Sequence, residues 1–279
     1  MGTSSTNPEP EVAKLFGLHF SPELARNLEL IRKHLHTFHE DTQRAAEQIR
    51  QAFSAVAIPK DIRLPSWEEF DSIYRARLKM LADHGWFAAM DFPLVTLNRA
   101  DATFRAGQIT EANEALTELF DTKAAEIART ISDEYPETAT LITGALQAHH
   151  EADYAVSVFI LLSQAGGIWG RHARLSPYSR NDKKRRPLRD AIQQNTKPLA
   201  MRAYWELLLE DIPLTRSFHA GDPEPTGLNR HAVIHGHSLN YETRINSARA
   251  FSWLSYVAEI RGYFGLIEED QPPPPTPAT

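Results

Sequence analysis

The sequence predicts an all-α protein, a helical bundle. Apolar residues recur at steps of three and four along most of the chain, which is the period of an amphipathic helix. Prolines at 59, 65 and 136 mark where those stretches end or begin, and none carries the strict alternation of a half-buried strand. There is no internal repeat.

The first periodic stretch begins at Glu23. Leu24, Leu28, Ile31, Leu35, Phe38, Ala45, Ile49, Ala52 and Val56 form one stripe of a long helix, closed by Pro59 and Pro65. Ser66 is placed to cap a second helix, in which Trp67, Phe70, Ile73, Leu78 and Leu81 are expected to be buried. From Gly85 to Gly107 the pattern loosens. Trp86, Phe87, Phe92 and Phe104 there predict a packed connection with short helices. A helix after Thr110 turns Leu116, Leu119, Phe120, Ala124, Ile127 and Ile131 inward. Pro136 suits the first turn of the next helix, where its missing N–H costs nothing, and that helix runs on to His150.

Residues 152–170 are apolar on nearly every side, which predicts a helix at the centre of the protein. After a basic break, a helix is expected over 197–211 with Leu199, Met201, Tyr204, Leu207 and Leu208. A loop rich in Pro, Gly and His leads to a last helix over 242–265. Trp169, Trp205 and Trp253 are expected in the core, and Gly166-Gly167 is expected to permit close helix packing. His149, His150, Glu151 and Asp153 read as surface polarity. The expected organisation is a disordered tail over 1–12, a helical region over 13–134, a second helical domain over 135–268 and a Pro-rich tail over 269–279. The second domain would be a four-helix unit built from 136–150, 151–170, 197–211 and 242–265.

With 279 residues, 42% hydrophobic and 24% charged, the chain has ordinary globular usage and enough length for a sizeable core. It has no cysteine, so a disulfide framework and a cysteine zinc site are both excluded. The N-terminus lacks the basic and apolar regions of a signal peptide. The most apolar run, Ala155 to Leu162, is far shorter than the roughly eighteen residues of a membrane span. These features predict a cytoplasmic protein with no membrane partner. The net charge of −6 gives no global attraction to nucleic acid, so RNA binding would need a local basic surface.

Chemistry concentrates near the C-terminus. Asn229, Arg230, His231, His235 and His237 lie close together, preceded by His219. Polar residues collect in loops and at helix ends, so such a group can be structural only. Two chemical readings compete with that. His231 and His235, four apart, share a helix face and could hold a metal ion, with His237 as a third ligand if Gly236 ends the helix and turns the chain back. No Glu lies between them as in HExxH, and no supporting carboxylate is evident. The other reading is acid–base chemistry on an RNA phosphodiester. RNA carries its own nucleophile, so cleavage needs only a proton-transfer group near neutral pH and a cation for the charge on phosphorus.

The run from Arg230 through His231 to His235 resembles the Arg-x4–6-His motif of HEPN domains, helical modules many of which are ribonucleases of toxin–antitoxin, abortive-infection and CRISPR-linked systems. A polar residue commonly follows the Arg in that motif, as His231 does here, and the motif lies at or before the last helix of a four-helix unit. The resemblance covers roughly 135–268 and does not extend to the N-terminal half. It implies a metal-independent endoribonuclease acting in defence, toxin–antitoxin or stress response, without cofactor. It also implies a homodimer that joins two Arg/His pairs in one composite site. Residues five apart on a helix point about 140° from each other, so two chains would converge better than one. The roles it implies are phosphate binding for Arg230, general acid or base for His235, and orientation by Asn229, His231 and His237. Where some HEPN toxins carry a regulatory Tyr two residues after the His, this chain has His237, so that control is not expected. A cognate antitoxin or regulatory protein is the further partner the resemblance allows.

Residues 171–189 carry eight Arg or Lys against one Asp. A solvated loop is the plain reading of such a run. RNA contact is the alternative, with Arg180, Lys183, Lys184, Arg185 and Arg186 tracking the phosphate backbone. Against the ribonuclease stands a noncatalytic helical module that binds RNA, nucleotide or a protein partner through the same residues.

Overall fold

The computed structural model describes residues 67–172, 178, 186, 188–190, 192, 199–219, 221–225 and 227–268. The helix expected from Glu23 to Val56, the Ser66 cap and both tails lie outside the described residues. Helix α1 spans Trp67–Asp83, α2 Leu94–Arg105, α3 Ile109–Glu134, α4 Ala139–His150 and α5 Tyr154–His172. Then come α6 at Leu199–Leu207, α7 at Arg230–Ile234 and α8 at Arg244–Glu268, with single 3-10 turns at Pro136–Thr138 and Pro213–Thr215. The protein is all-α, and no strand occurs among the described residues. None of the described helices is long and apolar enough to cross a membrane.

The bundle closes as a ring. α3 packs on α4, α4 on α5, α5 on α8, and α8 back on α3. This differs from the expected four-helix unit, because α3 holds the place assigned to 197–211, while α6 packs on α1. Length decides it. At about 1.5 Å per residue, a 9-residue α6 covers about 14 Å, whereas the 26 residues of α3 match the 25 of α8. α3 also turns a continuous apolar stripe inward, with Leu116, Phe120, Ala124, Ile127 and Ile131 buried. The described residues fall in one compact unit, Pro65–Thr279, so the division expected at 134 lies within the bundle. Pro136 opens a single turn leading straight from α3 into α4, and no linker intervenes.

α5 and α8 form the centre. Val158, Leu161, Leu162, Ala165, Ile168 and Trp169 of α5 are fully buried, as are Phe251, Trp253, Leu254, Tyr256 and Val257 of α8. Two residues of α5 expected inside are outside. Val156 and Phe159 of α5 are exposed, because the ring covers that helix on the α4 and α8 sides only. On α1, Leu78 and Leu81 are buried as expected but Ile73 is exposed. Its neighbour Tyr74 turns inward instead and meets Tyr204 of α6 edge-on. Trp86, Phe87, Phe92 and Phe104 are all buried in the connection between α1 and α3.

Polar groups inside this core find partners across helices. Trp169 Nε1 donates to the Val257 carbonyl at 3.1 Å, and the Tyr135 hydroxyl donates to that of Ala258 at 3.0 Å. Glu259 accepts from the Met90 N–H at 2.7 Å. Its burial pushes the carboxyl up from 4.5 to about 7, opposed by the Met90 bond and reinforced by Asp91 and Glu134. The folded protein therefore holds a proton that the unfolded chain releases at lower pH. The charge on Glu259 subtracts stability as pH rises from 4.5 to 7, and the full cost stands above 7. Glu259→Gln keeps an acceptor for Met90 and removes the charge. Thermal melts followed by circular dichroism should show it more stable than the wild type at pH 8 and equal to it at pH 4.5. An equal gain at both pH values would mean that the charge is not the cause.

Candidate functional site

The candidate residues lie on α7, a helix of five residues that depends on its ends. Asn229 is the N-cap. Its backbone is extended at φ −123° and ψ 117°, and its side-chain oxygen accepts from the Ala232 N–H at 2.8 Å. The Asn229 amide donates both hydrogens, to the Pro213 carbonyl at 2.9 Å and the Arg216 carbonyl at 3.1 Å. At the other end the His237 N–H bonds to the Ala232 carbonyl at 2.7 Å and the Gly236 N–H to that of Val233 at 3.1 Å. This reciprocal pair is the Schellman motif, and it requires the left-handed Gly236 at φ +70°.

The turn at Gly236 gathers the histidines. The His231 and His235 rings lie 4.4 Å apart, and His237 sits 6.4 Å from each. His219, from the loop before α7, lies 6.4 Å from His231. His231 is half-buried at the middle, while His219, His235 and His237 are exposed. Burial lowers the proton affinity of His231 below the usual imidazole value, and His235, His219, His237 and Arg230 each lower it further. Its Nδ1 is buried without a partner. Gly236 does turn the chain back, yet no group of three or more His, Asp or Glu among the described residues is arranged to hold a metal ion.

Arg230 stacks on an aromatic ring. Its guanidinium carbon lies 4.1 Å from the centre of the Tyr178 ring, a cation–π contact. Tyr178 is anchored in turn by Trp253 of α8, whose Nε1 donates to the tyrosine hydroxyl at 3.0 Å. Burial pushes that hydroxyl's pKa up to about 12. Gly166 makes room for the stack, since a Cβ there would meet Arg230 Nη2 at 3.1 Å and the Tyr178 ring at 3.5 Å. The Gly166-Gly167 pair thus serves the approach of guanidinium groups, with Arg171 beside Gly167, rather than close helix packing. No carboxylate among the described residues pairs with Arg230, and its Nε is buried without a partner.

Asn229, Arg230, His231, His235 and His237 are therefore neighbours on one short element, and the histidines meet each other. Arg230 is committed to Tyr178, and the Asn229 amide to backbone. Of the basic residues expected on RNA, Arg180, Lys183, Lys184 and Arg185 lie outside the described residues. Arg186 is exposed, 3.7 Å from Asp190. No protein-family model, curated protein or solved structure matches this chain.

One constellation escaped the sequence reading. His149, expected at the surface, is buried. Its Nδ1 lies 2.8 Å from the Ser247 hydroxyl, which also meets the Ser157 hydroxyl at 2.8 Å. Its Nε2 lies 3.1 Å from Asp121, which Arg244 grips at 2.5 and 2.6 Å. Ser, His and Asp are in register, but Ser247 is wholly buried and cannot reach a substrate. Burial lowers the proton affinity of His149 despite Asp121, so the network holds a neutral ring inside the α3–α4–α5–α8 core.

The Tyr178 stack can be tested by itself. Tyr178→Phe keeps the ring under Arg230 but strands the Trp253 N–H, and should cost about 1–2 kcal/mol in denaturant unfolding. Tyr178→Ala should cost more, because ring burial is lost as well. Equal costs would show that the ring contributes nothing to holding α7.

Proposed function

We propose that the chain is a metal-independent endoribonuclease of HEPN type, acting as a homodimer in a defence, toxin–antitoxin or stress response. One observation carries the reading. His219, His231, His235 and His237 converge beside Arg230 at an exposed helix end, and every neighbour that shifts His231 lowers its affinity for a proton. His231 is thereby kept neutral and suits the general base that takes the 2′-hydroxyl proton. The 2′-oxygen attacks phosphorus, the 5′-oxygen leaves, and His235 supplies the proton it takes up. The products are a 2′,3′-cyclic phosphate and a 5′-hydroxyl. Arg230, uncompensated by any described carboxylate, supplies positive charge toward the phosphate. The dimer would bring a second Arg230 and His235 to the same site.

A noncatalytic module that binds RNA, nucleotide or protein is the second reading. It is favoured by the commitment of Arg230 to Tyr178 and of the Asn229 amide to backbone carbonyls.

Purified protein incubated with mixed cellular RNA in EDTA is expected to cut it, leaving cyclic phosphate ends. The Arg230→Ala/His235→Ala double variant is expected to leave the RNA whole. Intact RNA with a folded, dimeric wild type would decide for the binding module. The rate should fall with pH only below 6.5, because His231 takes up its proton there. Removing one like-charged neighbour by His219→Ala should move that limb to higher pH. A limb that stays in place would take the general-base role away from His231.

A further inference from the structure

Behind α7 lies a cavity of about 220 Å³, lined by Glu224 and Asn229 before and at the start of α7, by Ser238, Asn240 and Thr243 after it, and by the first turns of α8. That is room for about seven waters at ~30 Å³ each, and it falls below the ~300 Å³ at which drug-sized sites begin. Its walls are polar. Ser238, Asn240 and Thr243 line it, and the Thr243 oxygen accepts from the Asn246 N–H while its own hydrogen remains to donate.

The cavity holds one basic side chain, Arg249 of α8. Its position is closely built. It lies across Gly85, where a Cβ would meet its Cδ and Nε at 3.2 Å, and Gly85 has the left-handed φ of +83°. The guanidinium carbon stands 5.5 Å from the centre of the Trp86 ring. Nη1 donates to the Asn246 side-chain oxygen at 3.1 Å, and Nη2 to that of Asn113 at 3.2 Å. Asn113 accepts from Trp86 Nε1 as well, at 2.9 Å, which fixes the acceptor in place. Nε is buried with no partner. Every acceptor is neutral, no described carboxylate pairs with the group, and burial alone brings its pKa down to about 10. An arginine fork removed from water is costly unless an anion meets it.

We propose that this cavity binds a small ligand through a carboxylate or phosphate group held by Arg249. The fork of a guanidinium matches both groups. The one acid in the wall, Glu224, is exposed and is tied to the Ser238 hydroxyl. Its charge opposes an anion, so the site takes a ligand of low charge with a donor that Glu224 can accept. The proposal is independent of the ribonuclease reading, although Asn229 both caps α7 and lines the cavity.

Calorimetric titration of the full chain tests it, with inorganic phosphate in one arm and lactate, succinate and glutamate in the other. Binding in one arm at millimolar concentration supports the proposal and identifies the anion. Arg249→Gln should weaken that binding at least about tenfold, the scale of one charge-assisted hydrogen bond. Glu224→Gln, at an exposed position that spares the fold, should tighten it by about threefold to tenfold through loss of a like charge. The His235→Ala/His237→Ala double variant, which removes two exposed rings and leaves the Arg230–Tyr178 anchor of α7 in place, should bind as the wild type does. Silence in both arms, full binding by Arg249→Gln, no tightening in Glu224→Gln, or loss in the double variant would each overturn the proposal. The last would place the anion at the histidines.

Discussion

The packing of α5 against α8 is the contact on which the remainder is built. Each helix is covered by the other and by one more partner of the ring, so both carry fully buried residues over several turns. Polar groups on such helices must be satisfied from inside. Ser157 meets Ser247 and through it His149, and Trp169 reaches the Val257 carbonyl. The same demand creates the candidate site. Trp253 of α8 needs an acceptor and takes the Tyr178 hydroxyl, Tyr178 then offers its face to Arg230, and Gly166 of α5 leaves the space for both. α7 is too short to stand by itself, and it is fixed to the core through this chain of contacts.

Two arginines follow the same logic with different surroundings. Arg230 and Arg249 each lie over an aromatic face beside a glycine, and neither has a described carboxylate partner. Aromatic faces and amide oxygens keep a guanidinium in place without neutralising it. A carboxylate partner would hold either group more firmly and would leave nothing for a ligand. Two cations that do have carboxylate partners, Arg244 on Asp121 and Lys123 on Asp91, instead tie elements together: α8 to α3, and α3 to the loop before α2.

Much of the fold was legible from local pattern. The stripe from Leu116 to Ile131, the proline at the start of the turn before α4 and the aromatic connection after Gly85 each act within a few residues. The partner choice of α3 and α6 was not legible, because it depends on which helix is long enough to cover α5 and α8. At the site, the clustering of His231, His235 and His237 and the turn at Gly236 could be read from spacing, since all four lie close together in sequence. The commitments of Arg230 and His149 could not. Tyr178 lies far back in sequence from Arg230, and Ser247 is 98 residues from His149. Periodicity also misjudged Val156 and Phe159, since a helix apolar all round does not reveal which side lacks a neighbour.

The histidine cluster is built of like groups, and that determines how it must respond to a ligand. His231 feels three imidazoles and a guanidinium, and all of them oppose its protonation. Protonating any one of these rings makes His231 harder still to protonate. A phosphodiester brought to this end of α7 would act in the opposite direction on every group at once. It would raise the proton affinity of the cluster as it bound, and protonation would in turn favour the bound anion, since the two effects are linked. A half-buried ring whose proton affinity its neighbours lower is the kind of group that suits a general base. Here the lowering arises from burial and from three imidazoles and a guanidinium at the same helix end.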